Sequence, residues 1–161
     1  MPLSGRVKAG VGAAVIALAA PFIAGWEGKE NVAYFDRIAN PPVWTVCQGL
    51  TGPMAYEGAK YTDSQCAAMF KEAVGEYYSR IETCMTNKSI PVSVQASLLE
   101  LAYNVGTTGV CTSTMMRLAN SGEYKAACAQ LDRWVKAGGK TIRGLVNRRN
   151  ASEAMCLQDV S

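Results

Sequence analysis

Between Ala9 and Trp26 the chain carries no charge, and the residue that follows, Glu27, is an acid. Arg6 and Lys8 stand ahead of this run, and cations followed by an uncharged apolar stretch form a membrane-targeting pattern. The run falls just short of the roughly 20 residues that cross a bilayer. Gly10, Gly12, Pro21, Gly25 and many alanines also leave it only weakly hydrophobic. Three fates compete. A signal peptide could be cut after Ala17-Leu18-Ala19, but the apolar character continues through Phe22 and Ile23, where a mature start is normally more polar. A permanent anchor is disfavoured because small residues contribute little transfer energy. A segment that enters the membrane, exports the rest and later leaves fits the composition best. Residues 1–26 are therefore expected to form this N-terminal segment and residues 27–161 one compact domain, since 161 residues are too few for two.

The sequence contains no histidine. That removes Ser-His-Asp and Cys-His nucleophile pairs, and zinc hydrolases whose metal is held by His. Hydrolysis is then left chiefly to carboxylates, one to donate a proton and another to hold or activate water. Glu27 and Asp36 are the candidate pair, with Thr45 as the hydroxyl beside them, all within Trp26 to Cys47. Glu30, followed by Asn31, reads as a surface charge. No metal or cofactor is expected.

The six cysteines, 47, 66, 84, 111, 128 and 156, are scattered, with no C-x-x-C among them. This argues against a zinc site and suits disulfides in an oxidising compartment. A loop of roughly 20 to 30 residues closed this way contributes about 3 kcal/mol. The cysteines alone leave the pairing open.

Beyond Glu27, the runs Ala33-Tyr34-Phe35 and Val43-Trp44-Thr45-Val46 are aromatic and β-branched and are split by Asn40-Pro41-Pro42, which predicts a β-hairpin. Thr62 with Gln65 forms a capping box ahead of a helix over 62–83, with Cys66, Met69, Phe70, Ala73, Tyr77 and Ile81 at helical spacing. Pro91 opens a buried helix that stops near Gly106. Shorter helices are expected over 112–118 and 122–135, the latter ended by Gly138-Gly139, and a last one over 143–157. The fold class is thus α+β, a small sheet followed by a mostly helical lobe with a cleft between them. Arg133, Lys136, Lys140, Arg143, Arg148 and Arg149 form a basic stretch, read as a surface for an anionic polymer. Cell-wall glycan suits it better than nucleic acid, because no base-reading element accompanies it.

Several ordered motifs resemble phage lysozymes (endolysins) of the signal-anchor-release type. They are Glu27-Gly28, Tyr34-x-Asp36 and Trp44-Thr45-Val46-Cys47-x-Gly49-x-Thr51-Gly52, then Tyr103-Asn104-Val105-Gly106, Thr112-x-Thr114, Arg133-Trp134, and Gly144-Leu145-x-x-Arg148-Arg149 with Glu153. The resemblance implies a lysozyme-like fold and hydrolysis of the β-1,4 bond between N-acetylmuramic acid and N-acetylglucosamine in peptidoglycan. It puts Glu27 on the general acid, Asp36 on the carboxylate that positions water, and Thr45 on the hydroxyl that helps hold it. Tyr103 and Thr114 fall on the sugar cleft, and Arg148 or Arg149 pairs with Glu27. The cysteines would join as Cys47–Cys66, Cys84–Cys111 and Cys128–Cys156. The stretch from Asp36 to Thr45 is longer than the family's usual spacing, with Asn40-Pro41-Pro42 as an insertion.

The expected protein is a monomeric muramidase exported to the periplasm of a Gram-negative host. Its N-terminal segment ties it to the inner membrane and keeps it inactive until the membrane depolarises. Residues 1–26 hold no cysteine, so release would rest on refolding and not on thiol exchange. A lytic transglycosylase on the same fold would have no use for Asp36 and Thr45, and a catalytically inactive wall-binding protein would have no use for Glu27 and Asp36.

Overall fold

The computed structural model describes residues 3–161, with side chains from Gly10 onward. The side chains of Arg6 and Lys8 lie outside the described residues. The apolar run folds as one long helix, α1 (Leu3–Glu27), which accommodates Pro21 and ends where Gly28 takes a φ of +66°. Val15, Ala19 and Ile23, spaced four residues apart on one stripe of α1, are fully buried in the main core. Gly12 continues the stripe, and a Cβ there would stand 3.0 Å from the Tyr78 ring. The small residues of the run thus let α1 lie close against its neighbours.

Next comes a hairpin of β1 (Glu30–Asp36) and β2 (Val43–Cys47), antiparallel, with Tyr34 opposite Thr45, Phe35 opposite Trp44 and Asp36 opposite Val43. The Phe35 and Trp44 rings pack 5.5 Å apart on the other face from Tyr34. A small cluster of Ala33, Val46, Cys47, Leu50, Ala59 and Cys66 lies under this lobe. The Cys47–Cys66 disulfide ties it to α2 (Asp63–Glu82). The capping box of α2 is fully formed: Thr62 Oγ1 accepts from Gln65 N–H at 3.1 Å, and Thr62 N–H donates to Gln65 Oε1 at 2.9 Å.

The centre of the helical lobe is α3 (Val92–Val105), in which every residue from Ser93 to Ala102 is buried. Its polar members are hydrogen-bonded, as burial demands. Ser93 donates to the Cys156 carbonyl, Ser97 to the Ser152 carbonyl and Gln95 to the Ile90 carbonyl. Around α3 lie α4 (Thr107–Cys111), α5 (Thr114–Asn120), α6 (Tyr124–Ala129) and α7 (Arg143–Cys156). The Cys84–Cys111 disulfide joins the end of α2 to α4, and Cys128–Cys156 joins α6 to α7. The architecture is α+β.

Two local expectations are corrected. The helix expected over 112–118 is α5, which starts at Thr114 and runs to Asn120: Ser113 caps it by accepting from Met116 N–H at 3.0 Å, and the separate short α4 closes at Cys111 ahead of it. The helix over 122–135 stops at Ala129 and tightens to a 3₁₀ turn over Gln130–Arg133. The i+3 spacing of a 3₁₀ turn keeps Leu131 and Trp134 inward, so the apolar pattern looks like a longer helix. Gly138 and Gly139, at φ of +58° and +76°, do not end a helix. They form the turn between β3 (Lys136–Ala137) and β4 (Lys140–Thr141).

Candidate active site

Glu27 is the last residue of α1, and its side chain keeps 18% of its surface exposed. One oxygen, Oε1, accepts from Arg148 Nη1 on α7 at 2.9 Å. The other, Oε2, faces Gly49 in the loop after β2, where a Cβ would lie 2.7 Å away. Gly49 also has a φ of +74°, so steric room and backbone conformation both call for glycine.

The basic stretch divides in two. Arg133, Lys136, Lys140 and Arg143 are exposed, but Arg148 and Arg149 are buried and do not belong to a surface. The carboxylate of Glu100, itself fully buried on α3, takes them inside. Arg148 Nε bonds Glu100 Oε1, while Arg149 Nη1 at 3.3 Å and Ser152 Oγ at 3.0 Å bond Oε2. Arg149 Nη2 also bonds Asn104 Oδ1. Two acids and two guanidiniums thus balance in charge, as buried ions must. Burial holds the Arg149 guanidinium below its ordinary range, and the Glu100 charge acts against this. Arg148, not Arg149, pairs with Glu27.

On the hairpin, Asp36 Oδ1 accepts from the backbone N–H of Ile38 at 2.9 Å and of Ala39 at 3.2 Å, which fixes the carboxylate at the start of the turn. Thr45 is 4% exposed, and its hydroxyl donates to the Val43 carbonyl at 3.4 Å. Residues opposite each other, and residues two apart, share a face of a sheet, so Tyr34, Asp36 and Thr45 lie on one side of the hairpin. Partial burial raises the Tyr34 phenol, and the charges of Asp36, Glu30 and Glu27 raise it further. Tyr34 therefore stands in the field of both candidate carboxylates. Glu30 itself is exposed and sits opposite Cys47.

Tyr103 is mostly enclosed. Its ring meets Phe70 edge-on at 5.8 Å and Tyr77 at 5.1 Å, and its hydroxyl donates to the Gln48 carbonyl at 2.7 Å. Burial first, and the Glu27 charge second, push its phenol far above the ordinary range, so it stays a neutral donor. Tyr103 thereby braces the Gln48-Gly49 loop against α3. Thr114, at the start of α5, lines an open groove with Thr112, Ser113, Gln130, Arg133 and Trp134 on the helical lobe.

Of the residues that shape the site, the sequence reading left Glu100 unnamed, the role of Gly49 unstated and the partner arginine unresolved. Gly49 was visible only as part of a motif, and the choice between adjacent arginines needs the helical phase of α7. Glu100 left a readable signal, a lone charge within Leu98-Leu99-Glu100-Leu101-Ala102, which is costly unless it is paired.

The phage lysozyme family model matches residues 24–152. The SAR-endolysin of Enterobacteria phage P21 is 38% identical over 162 residues, covering 98% of this chain and 98% of the relative. Among solved structures, the muramidase domain of SpmX from Asticaccaulis excentricus has a TM-score of 0.76 at 20% identity, covering 86% of this chain and 94% of that one. The active form of the P1 phage endolysin has a TM-score of 0.75 at 21% identity, covering 94% and 95%. The chain belongs to the phage lysozyme family, as an endolysin of the signal-anchor-release type.

Proposed function

We propose that the protein is a muramidase that hydrolyses the β-1,4 bond between N-acetylmuramic acid and N-acetylglucosamine in peptidoglycan. The arrangement of Glu27 carries this reading: a carboxyl at the end of α1 that pairs with Arg148 and whose charge reaches Tyr34 on the hairpin face that also bears Asp36 and Thr45. Glu27 protonates the leaving glycosidic oxygen as the C1–O bond breaks. Water held by Asp36 and Thr45 attacks C1, and its proton passes to Asp36. This division of labour is that of inverting glycosidases. The Thr45 hydroxyl gives its hydrogen to the Val43 carbonyl, which leaves its lone pairs for the water.

The same helix supplies the control. In the periplasm of a Gram-negative host, α1 first lies in the inner membrane, which withholds Val15, Ala19 and Ile23 from the core and Glu27 from Arg148. Depolarisation lets it leave, and packing of α1 on the helical lobe completes both core and site.

Turbidity clearing of outer-membrane-permeabilised cells tests the reading. Glu27→Gln, folded as judged by circular dichroism, is expected to lose roughly 10²–10⁴ of the rate. Mass spectrometry of wall digested by the wild type should find reducing ends. Products ending in 1,6-anhydro groups would replace hydrolysis with transglycosylation, and an unimpaired Glu27→Gln would remove the acid.

A further inference from the structure

A carboxylate at the centre of a buried helix is unfavourable unless donors surround it, and an apolar side chain in α3 would pack there without any. Glu100 has three such donors, and one of them is the guanidinium that also holds Glu27. Arg148 gives Nε to Glu100 Oε1 and Nη1 to Glu27 Oε1, the second at 2.9 Å. A guanidinium is a rigid plane, so fixing Nε also fixes the direction of Nη1. Arg149 and Ser152 occupy the other oxygen of Glu100, so Glu100 cannot swing away from Arg148 without breaking both bonds.

We propose that Glu100 is a positioning residue for the reaction, aiming the Arg148 guanidinium at Glu27 and sharing its positive charge. The inference rests on the proposed role of Glu27 as the acid. Among the described residues, the charged and titratable groups that face Glu27 are Arg148 and Arg149 from α7, Tyr103 from α3, with Glu100 behind Arg148, and Tyr34 from β1, on which Asp36 and Glu30 act as well. Loss of the Glu100 charge leaves the whole Arg148 cation to Glu27. An acid held more firmly as an anion stops donating its proton at a lower pH.

Rates on permeabilised cells, measured across pH with kcat and KM separated, test this. For Glu100→Gln the alkaline limb of activity moves down by about one pH unit. Its kcat at neutral pH falls roughly tenfold or more, with KM changed less than about twofold. Glu100→Asp keeps the charge on a shorter arm, so its limb returns to the wild-type pH while kcat stays roughly threefold or more below wild type. A merely structural acid would not move the limb. A folded Glu100→Gln with a wild-type pH profile overturns the inference. If Glu100→Gln does not fold, Glu100→Asp decides: a reduced kcat at unchanged KM upholds the inference and a wild-type kcat overturns it. Glu27→Gln run in parallel separates the two levels. An active Glu27→Gln overturns the acid and Glu100's role together, whereas an inactive one beside an unmoved Glu100→Gln profile overturns only the latter.

Discussion

At Gly49 a single missing Cβ decides whether the acid fits. The backbone is at φ +74° and the nearest Glu27 oxygen would meet a Cβ at 2.7 Å, so any side chain is penalised twice. Gly49→Ala is expected to lose about 1–3 kcal/mol of stability from backbone strain and to lose disproportionate activity, because Glu27 must shift off Arg148. Denaturant melts and clearing rates on the same preparation check this, and unchanged rates would show that the close approach is irrelevant to the site. Tyr103 acts on the same loop from the other side. Its phenol is raised in the fold and ordinary in the unfolded chain, so its contribution to stability is complete below about pH 10 and fades as pH rises above that value. Tyr103→Phe should cost about 1–2 kcal/mol at neutral pH, through the lost bond to the Gln48 carbonyl. Melting temperatures between pH 9 and 11 should fall less steeply for Tyr103→Phe than for wild type.

Among the elements, the hairpin depends most on a covalent tie. It is a two-stranded sheet, marginal by itself, and Cys47 at the end of β2 fastens it to Cys66 on α2, with a sequence separation of 19. Replacing both cysteines by serine should cost about 3 kcal/mol. The loss should fall on the hairpin first, so that activity disappears in denaturant before helical circular dichroism does. Coincident transitions would contradict that order. The hairpin and α2 were also the most legible elements in the sequence. Val43-Trp44-Thr45-Val46 could only be a strand, and Thr62 with Gln65 announced the start of α2. The region after Gly122 was not legible, because inward spacing at Leu131 and Trp134 is the same for a 3₁₀ turn as for an α-helix. Paired glycines suit a helix end and a tight hairpin equally, and the pairing of Lys136 with Thr141 and of Ala137 with Lys140 is what distinguishes them.

For the molecule as a whole, α1 is long and apolar enough to cross a membrane by length and composition, and in the fold it packs in the main core. The same stretch contains the spacing Gly12, Val15, Ala19, Ile23, the stripe that packs against Tyr78 and into the main core. Read alone, the sequence showed the hydrophobicity and the weakness of the anchor but not the second surface, since the partner residues on α2 and α3 lie far along the chain. Glu27, Asp36 and Thr45 could be proposed together because they fall within one short segment, whereas the choice of Arg148 over Arg149 and the contact with Glu100 come only from the tertiary fold. The account turns on α1 being part of the working enzyme and not a discarded leader. Cells expressing the protein, fractionated with and without an uncoupler, test this most directly. The soluble, lytically active species should appear only after depolarisation and retain residues 1–26 by N-terminal sequencing. An active soluble species that begins near residue 20 would lack most of the helix that fills the core and would contradict the account.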